Sequence, residues 1–132
     1  MFGRYLLEGE IARGGMGVVY RAYDTQVKRS VALKVIHGGD AIPAEARRRF
    51  DREAHLAARL HHPNIVPVYE VGEVERTPYF TMELVDGESL QSILQRMRRV
   101  PPRAALTIAR DVARALEHAH GQSLVHRDIK PG

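Results

Sequence analysis

The stretch Val-Ala-Leu-Lys-Val-Ile, residues 31–36, is an apolar run interrupted by one charged residue, Lys34. Its length and its β-branched residues are typical of a strand, in which side chains alternate between two faces. Lys34 then lies on the same face as Ala32 and Ile36. A lysine on an apolar face is unfavourable unless its stem reaches water or its ammonium meets an anion. If the chain offers no anion, a lysine that extends to solvent is the simpler interpretation.

The segment that follows does offer an anion, Glu53. Pro43 suits the first turn of a helix, and apolar residues then recur at helical spacing as far as Leu60. Glu53 belongs to the same stripe, which consists of Ala46, Phe50, Glu53, Ala57 and Leu60. A carboxylate on a buried face requires a cation. The sequence therefore predicts a helix packed on the strand, with Glu53 as the partner of Lys34.

The wider pattern predicts an α+β chain that changes character near residue 86. Five segments alternate as strands do and are separated by turn residues: 5–11, 18–23, 30–36, 65–72 and 79–85. We predict that they form a five-stranded antiparallel sheet packed by the one helix. After Asp86-Gly87-Glu88 the pattern becomes helical, with helices expected at 89–99 and 103–120.

The second of these helices has an apolar face with no obvious partner in the sequence. Its stripe consists of Ala105, Ile108, Ala109, Val112, Leu116 and Ala119. An amphipathic helix of this kind normally packs its stripe against other elements. We therefore expect exposed apolar surface here, through which the chain could dimerise or aggregate.

A glycine-rich turn, residues 12–17, lies between the first two predicted strands. Bare backbone amides in such a turn can approach phosphate oxygens closely. Taken alone, the pattern favours an ordinary flexible hairpin, because glycines are common there. A dinucleotide-binding turn would lead into a helix, and a P-loop would carry Gly-Lys-Ser/Thr, so neither fits this context.

The hexapeptide His-Arg-Asp-Ile-Lys-Pro, residues 126–131, places Asp128 and Lys130 two residues apart. An aspartate that accepts a proton, beside a lysine that stabilises phosphate charge, suits phosphoryl transfer. A solvated loop is the structural alternative for this segment on its own.

Composition narrows the remaining function classes. The 132 residues carry 20 Lys and Arg against 16 Asp and Glu. A net charge of +4 spread along the chain is modest for a nucleic-acid binder, so we expect no nucleic-acid partner. With no cysteine, the chain can form neither disulfides nor thiolate metal sites, and we expect a cytoplasmic protein. The first eight residues reach an acid too early for a signal peptide, and no run of about eighteen apolar residues occurs, so we expect no membrane contact from this segment.

Six segments in order resemble the protein kinase family, most closely the eukaryotic-like serine/threonine kinases of bacteria. They are residues 11–20 (IARGGMGVVY), 31–34 (VALK), 52–54 (REA), 62–66 (HPNIV), 79–84 (YFTMEL) and 126–131 (HRDIKP). The resemblance covers nearly the whole chain. It implies an ATP-binding N-lobe at 1–85, with a hinge near 82–87, and a partial helical C-lobe at 88–132. That C-lobe would contain two helices and the start of the catalytic loop.

The resemblance also implies a set of ATP-binding residues. Lys34 would contact the α- and β-phosphates, Glu53 would hold Lys34 in place, and Val19 and Ala32 would enclose the adenine. Met82 would be the gatekeeper side chain. The full set is Ile11, Gly14, Gly15, Met16, Gly17, Val19, Ala32, Lys34, Glu53, Met82, Glu83 and Val85. For Glu83 and Val85, it is the backbone that would meet the adenine edge.

The implied activity is transfer of the γ-phosphoryl group of ATP, with Mg²⁺, to serine or threonine hydroxyls of a protein substrate. Asp128 would accept or orient the hydroxyl proton, and Lys130 would stabilise the transferred group. Ala12 departs from the family pattern, since a glycine usually stands there. The metal-binding asparagine of the family would be residue 133, so the resemblance implies an N-terminal fragment that ends inside the catalytic loop.

Two expectations follow from the position of that asparagine. Metal ligands are expected downstream of Gly132 and none within this chain, so we expect negligible phosphotransfer from residues 1–132 alone. The alternative function is a catalytically inactive, truncated kinase-like module that binds a nucleotide or a partner.

Overall fold

The computed structural model describes residues 1–15, 17–126 and 129–131. Within them lie five strands: β1 (Tyr5–Gly14), β2 (Gly17–Asp24), β3 (Arg29–Val35), β4 (Val68–Val74) and β5 (Thr77–Met82). The helices are α1 (Ala44–Ala58), α2 (Leu90–Met97) and α3 (Pro102–Gly121), and a short 3₁₀ turn spans Gly39–Ala41. The predicted α+β class, with a five-stranded antiparallel sheet and one helix followed by further helices, is confirmed.

The chain forms two compact units. The first comprises Met1–His61 and Val66–Val85 and contains the sheet and α1. The second comprises His62–Ile65 together with the described residues from Asp86 onward, and contains α2 and α3.

The strand order of the sheet, β1-β2-β3-β5-β4, places β3 at its centre. Every neighbouring pair is antiparallel. Lys34 lies opposite Val19 on β2 and opposite Phe80 on β5. Residues directly opposite each other in an antiparallel pair point to the same face, so this register decides which side chains surround Lys34.

The two faces of the sheet carry separate apolar clusters, as the alternation of residues 31–36 predicts. One cluster consists of Tyr5, Ala22, Val31, Leu33, Val35 and Tyr79. The other consists of Ile36, Phe50, Ala54 and Phe80, where α1 packs on the sheet. Burying each large side chain stabilises the unit by roughly 1.5–3 kcal/mol.

A polar network stabilises the face that α1 does not cover. Glu70 accepts hydrogen bonds from the hydroxyls of Tyr5 at 3.1 Å and Tyr79 at 2.8 Å, and it forms an ion pair with Arg4. Arg4 also donates to Asp24 at 3.1 Å. These bonds join the start of β1, the end of β2 and the edge strand β4, and they satisfy polar groups that would otherwise be costly to bury.

Burial and hydrogen bonding together set the ionisation of this network. Burial, together with the nearby Glu70 carboxylate, raises the pKa of Tyr5 above its ordinary value. For Asp24, burial alone would raise the pKa. Hydrogen bonds from the amides of Val27 and Gln26 and from Arg4 outweigh burial and hold the pKa of that carboxyl below its ordinary value.

Several predicted boundaries were wrong, and turn geometry explains them. The strand β1 continues through the predicted glycine turn to Gly14, because its pairing with β2 extends to Gly14 opposite Gly17. The turn between β4 and β5 is only two residues, Glu75 and Arg76, rather than 73–78. Both have positive φ, +47° and +62°, as a tight two-residue hairpin requires.

Strand and helix ends also differ from the predicted ones. The strand β4 begins at Val68 rather than residue 65, and β5 ends at Met82 rather than residue 85. The helix α2 ends at Met97 because Arg98 adopts a left-handed conformation with φ of +62°.

The apolar stripe of α3 is only partly covered within the second unit. Its members run from buried through half-buried to exposed: Ala119 is buried, Ile108 and Leu116 are half-buried, and Ala105, Ala109 and Val112 are exposed. Leu106, outside the predicted stripe, is 72% exposed. None of the described helices has both the length and the apolar character needed to cross a bilayer.

Candidate functional site

The central feature of the first unit is an ion pair between Lys34 on β3 and Glu53 on α1. The ammonium Nζ donates to the Glu53 carboxylate oxygen Oε1 at 2.6 Å. The lysine side chain is 19% exposed and the glutamate side chain 43% exposed, so the lysine is the more enclosed partner. The pairing expected from the helical stripe is therefore present.

The register of the sheet brings the expected adenine-enclosing residues to the same face as Lys34. Val19 lies directly opposite Lys34 on β2, and Ala32 lies two residues before it on β3. Met82 on β5 lies opposite Ala32 and therefore shares this face. Ala32 is buried and Val19 is half-buried, which leaves an apolar surface beside the ammonium.

The glycine hairpin is held against the strand that carries Lys34. At Gly17, φ is +144°, and a Cβ would lie 2.2 Å from the carbonyl oxygen of Val35. Only glycine fits such an approach. At Gly14 and Gly15 a Cβ would meet nothing within 4 Å, so these two positions are open. A cavity of about 220 Å³ lies between the hairpin and the start of α1.

The expected hinge residues follow β5 directly. Met82 is half-buried at the strand end, whereas Glu83 and Val85 are exposed. The amide of Glu83 donates to the carbonyl of Pro67 at 3.0 Å. A ligand must therefore approach Glu83 at its carbonyl. Ile11 lies on β1 and is 51% exposed.

Three further expected site residues are Met16, Asp128 and Lys130. Met16 and Asp128 lie outside the described residues. Lys130 is exposed in the second unit, where the neighbouring Pro131 carbonyl accepts a hydrogen bond from the amide of Gln91 on α2 at 2.9 Å. This bond joins the segment after residue 128 to the start of α2.

Two aromatic residues at the ion pair were not singled out from the sequence as site residues. Phe80 lies opposite Lys34, with the ammonium 5.6 Å from its ring centroid. Phe50, which the sequence places in the helical stripe, stacks on Phe80 with ring centroids 5.2 Å apart. Period-two alternation back from Met82 puts Phe80 on the Met82 face, but its position beside Lys34 depends on the register between β3 and β5.

The described residues suit phosphate groups better than they suit a divalent cation. An ammonium on the strand against which a glycine hairpin packs suits phosphate oxygens. Among residues 1–15, 17–126 and 129–131, no group of three or more His, Asp or Glu side chains is arranged to hold a metal ion.

Comparison with known proteins agrees with this geometry. Residues 5–132 match the family model described as protein kinase domain. The chain is 45% identical over 135 residues to the serine/threonine-protein kinase PknA of Mycobacterium tuberculosis, covering 98% of this chain and 31% of PknA. It is 42% identical over 130 residues to PknD of the same organism, covering 98% of this chain and 20% of PknD.

A solved structure has the same fold. The kinase domain of M. tuberculosis PknI superposes with a TM-score of 0.79 at 36% identity, covering 99% of this chain and 53% of that domain structure. The chain thus spans about half of the solved kinase domain and a third or less of the curated relatives. With the fold, the Lys34–Glu53 pair and the family model in agreement, the chain belongs to the protein kinase family.

Proposed function

We propose that this chain is the ATP-binding part of a serine/threonine protein kinase. The observation that carries the proposal is the Lys34–Glu53 ion pair, set on the same sheet face as Val19 and Ala32 and close to the Gly17 hairpin. A cation held by a carboxylate, on the strand against which a glycine hairpin packs, suits the phosphates of a nucleotide. An apolar face beside the cation suits a flat base.

Each residue then has a definite part in binding. Lys34 contacts the α- and β-phosphates, and Glu53 keeps the ammonium directed toward them. The adenine lies between Val19 and Ala32, with its edge against the backbone of Glu83 and Val85. The hairpin at Gly14, Gly15, Met16 and Gly17 covers the phosphates, with Ile11 at its base and Met82 behind the adenine.

Phosphoryl transfer in the complete protein would use the segment at 126–131. A serine or threonine hydroxyl of a protein substrate attacks the γ-phosphorus, its proton passes to Asp128, and the bond from the γ-phosphorus to the oxygen of departing ADP breaks. Lys130 stabilises the charge on the transferred group. Mg²⁺, when bound, neutralises phosphate charge; for its ligands we propose residues after Gly132.

Nucleotide binding is tested by thermal stabilisation of the purified chain with a non-hydrolysable ATP analogue. A ligand at 100 times its Kd stabilises the folded state by about 2.7 kcal/mol, which is a clear rise in melting temperature. We expect this rise in the unaltered chain and its loss in Lys34→Met. An unaltered chain that gains no stability from the analogue contradicts the proposal.

Phosphotransfer is tested separately, with labelled ATP and a generic protein substrate. We expect negligible incorporation by residues 1–132. Incorporation is expected from a longer protein that contains this chain, and we expect Asp128→Asn to abolish it. A longer protein that binds the analogue yet transfers no phosphate would instead support the nucleotide-binding module.

A further inference from the structure

Lys34 and Glu53 form a side-chain pair that joins the sheet to α1, and a second pair lies beside it. The other pair is Phe80 and Phe50. Lys34 and Phe80 lie opposite each other on neighbouring strands. Phe50 and Glu53 lie three residues apart on α1, so they lie on one side of the helix. An aromatic contact and an ion pair therefore bridge the helix and the sheet next to each other.

The aromatic pair is the drier and more rigid of the two contacts. Phe50 is fully buried and Phe80 is 3% exposed, and their rings stack with centroids 5.2 Å apart at a tilt of 47°. Glu53, by contrast, is 43% exposed, so solvent screens the ion pair. A screened ion pair contributes little to holding a helix in place, whereas two buried rings in contact stabilise the packing through their buried area and through their geometry.

Phe80 also touches the ion pair directly. The Lys34 ammonium lies over its ring, 5.6 Å from the centroid, within the distance at which a cation is attracted to an aromatic face. The ring covers the ammonium from the side of the sheet while Glu53 holds it from α1. The ammonium therefore has two fixed neighbours before any ligand arrives.

From these contacts we infer that Phe80 is a positioning residue for Lys34. Its ring supports the ammonium, and its stacking on Phe50 holds α1 at the distance at which Glu53 reaches Lys34. This inference rests on the proposed role of Lys34 in binding phosphates. It goes beyond that role by assigning part of the nucleotide affinity to a buried residue outside the proposed binding set.

Phe50 provides a matched control. Phe80→Met and Phe50→Met each remove one ring of the same buried pair and keep similar volume, so both lose the stacking. Only Phe80→Met removes the ring beside the ammonium. Both variants are first compared by circular dichroism and by melting temperature in the 132-residue chain.

The first readout is affinity for the ATP analogue. The contact between the ammonium and the ring is worth about 0.5–1 kcal/mol and holds the ammonium in position before the ligand binds. Losing this preorganisation should weaken binding by Phe80→Met relative to Phe50→Met by up to about two- to fivefold. Equal affinity in the two variants overturns the inference. If the proposed function itself is wrong, the unaltered chain does not bind the analogue at all, and this result differs from equal affinity of the two variants.

The second readout needs no nucleotide. The Phe80 ring covers one side of the ammonium, so Lys34 should be more accessible to an acylating reagent, and acylated faster, in Phe80→Met than in Phe50→Met. Mass spectrometry of the Lys34 peptide measures this rate, and equal rates count against the inference.

If Phe80→Met does not fold, an NMR measurement on the unaltered chain still tests whether the Phe80 ring lies against Lys34. The ε-methylene protons of Lys34, assigned by their loss in Lys34→Met, should be shifted upfield in the NMR spectrum by the Phe80 ring. Ordinary lysine shifts would overturn the inference.

Discussion

Gly17 and Val35 approach so closely that a Cβ on the glycine would lie 2.2 Å from the carbonyl oxygen of Val35. The contact joins the tip of the β1–β2 hairpin to the end of the strand that carries Lys34. The backbone φ of Gly17, +144°, is also one that residues with a side chain rarely adopt. The hairpin that covers the proposed phosphate site is therefore fixed at one of its glycines.

We expect Gly17→Ala to destabilise the first unit by roughly 1–3 kcal/mol, because the new Cβ meets backbone rather than a flexible side chain. Urea denaturation measures the loss. Gly15→Ala is the matched control, since a Cβ there meets nothing within 4 Å. Equal stability of the two variants would show that the close approach is unimportant.

Removing one member of the ion pair should affect ligand binding more than stability. Glu53 is partly exposed, so we expect Glu53→Gln to cost no more than about 1 kcal/mol of folding free energy. Without the carboxylate, the ammonium loses its orientation toward the phosphates, and the stabilisation by an ATP analogue should shrink.

Glu45→Gln is the control for this change. It removes an exposed carboxylate of the same helix that pairs with Arg49, four residues on. It should leave analogue binding unchanged in the same thermal assay. A Glu53→Gln variant that binds the analogue as well as Glu45→Gln would contradict the role given to Glu53.

Gly72 is expected to be intolerant of a side chain for a packing reason. A Cβ there would lie 2.9 Å from the Tyr79 ring, which is buried and donates its hydroxyl to Glu70. Gly72→Ala must displace that ring, and overpacking of this kind costs roughly 1–3 kcal/mol. Gly9→Ala, on open β1, is the control in the same denaturation experiment, and similar midpoints for both would refute the argument.

The lowered pKa of Asp24 predicts how the free energy of unfolding changes at acid pH. Its folded-state pKa is lowered, so the stability it contributes is present above the unfolded value of about 3.9 and is lost as pH falls toward the folded value. Urea titrations from neutral to acid pH should therefore show a decline that is shallower in Asp24→Asn. The asparagine keeps an oxygen for the amides of Gln26 and Val27, which limits the change to charge. Identical slopes in the two proteins would exclude Asp24 as a source of the decline.

Local pattern was sufficient for the elements and for the Lys34–Glu53 pair. Alternation along residues 31–36 put Lys34 on one face, and a three-to-four residue spacing put Glu53 in a helical stripe, so only the meeting of the two faces had to be inferred. Element ends were less predictable. The turn at Glu75 and Arg76 contains no glycine or asparagine, the residues that would have indicated its two left-handed positions in the sequence.

By itself, the sequence determined the α+β class, the order of the elements and the family resemblance, because periodicity and motif order are properties of neighbouring residues. Only the tertiary structure decided that Phe80 lies beside Lys34, that Gly17 touches Val35 and that Tyr79 covers Gly72. Each of these contacts joins residues from different elements. The first depends on the register of β3 with β5, the second on that of β2 with β3, and the third on that of β4 with β5. A shift of one residue in a strand pair would bring different residues opposite each other and turn the other set of side chains to a given face.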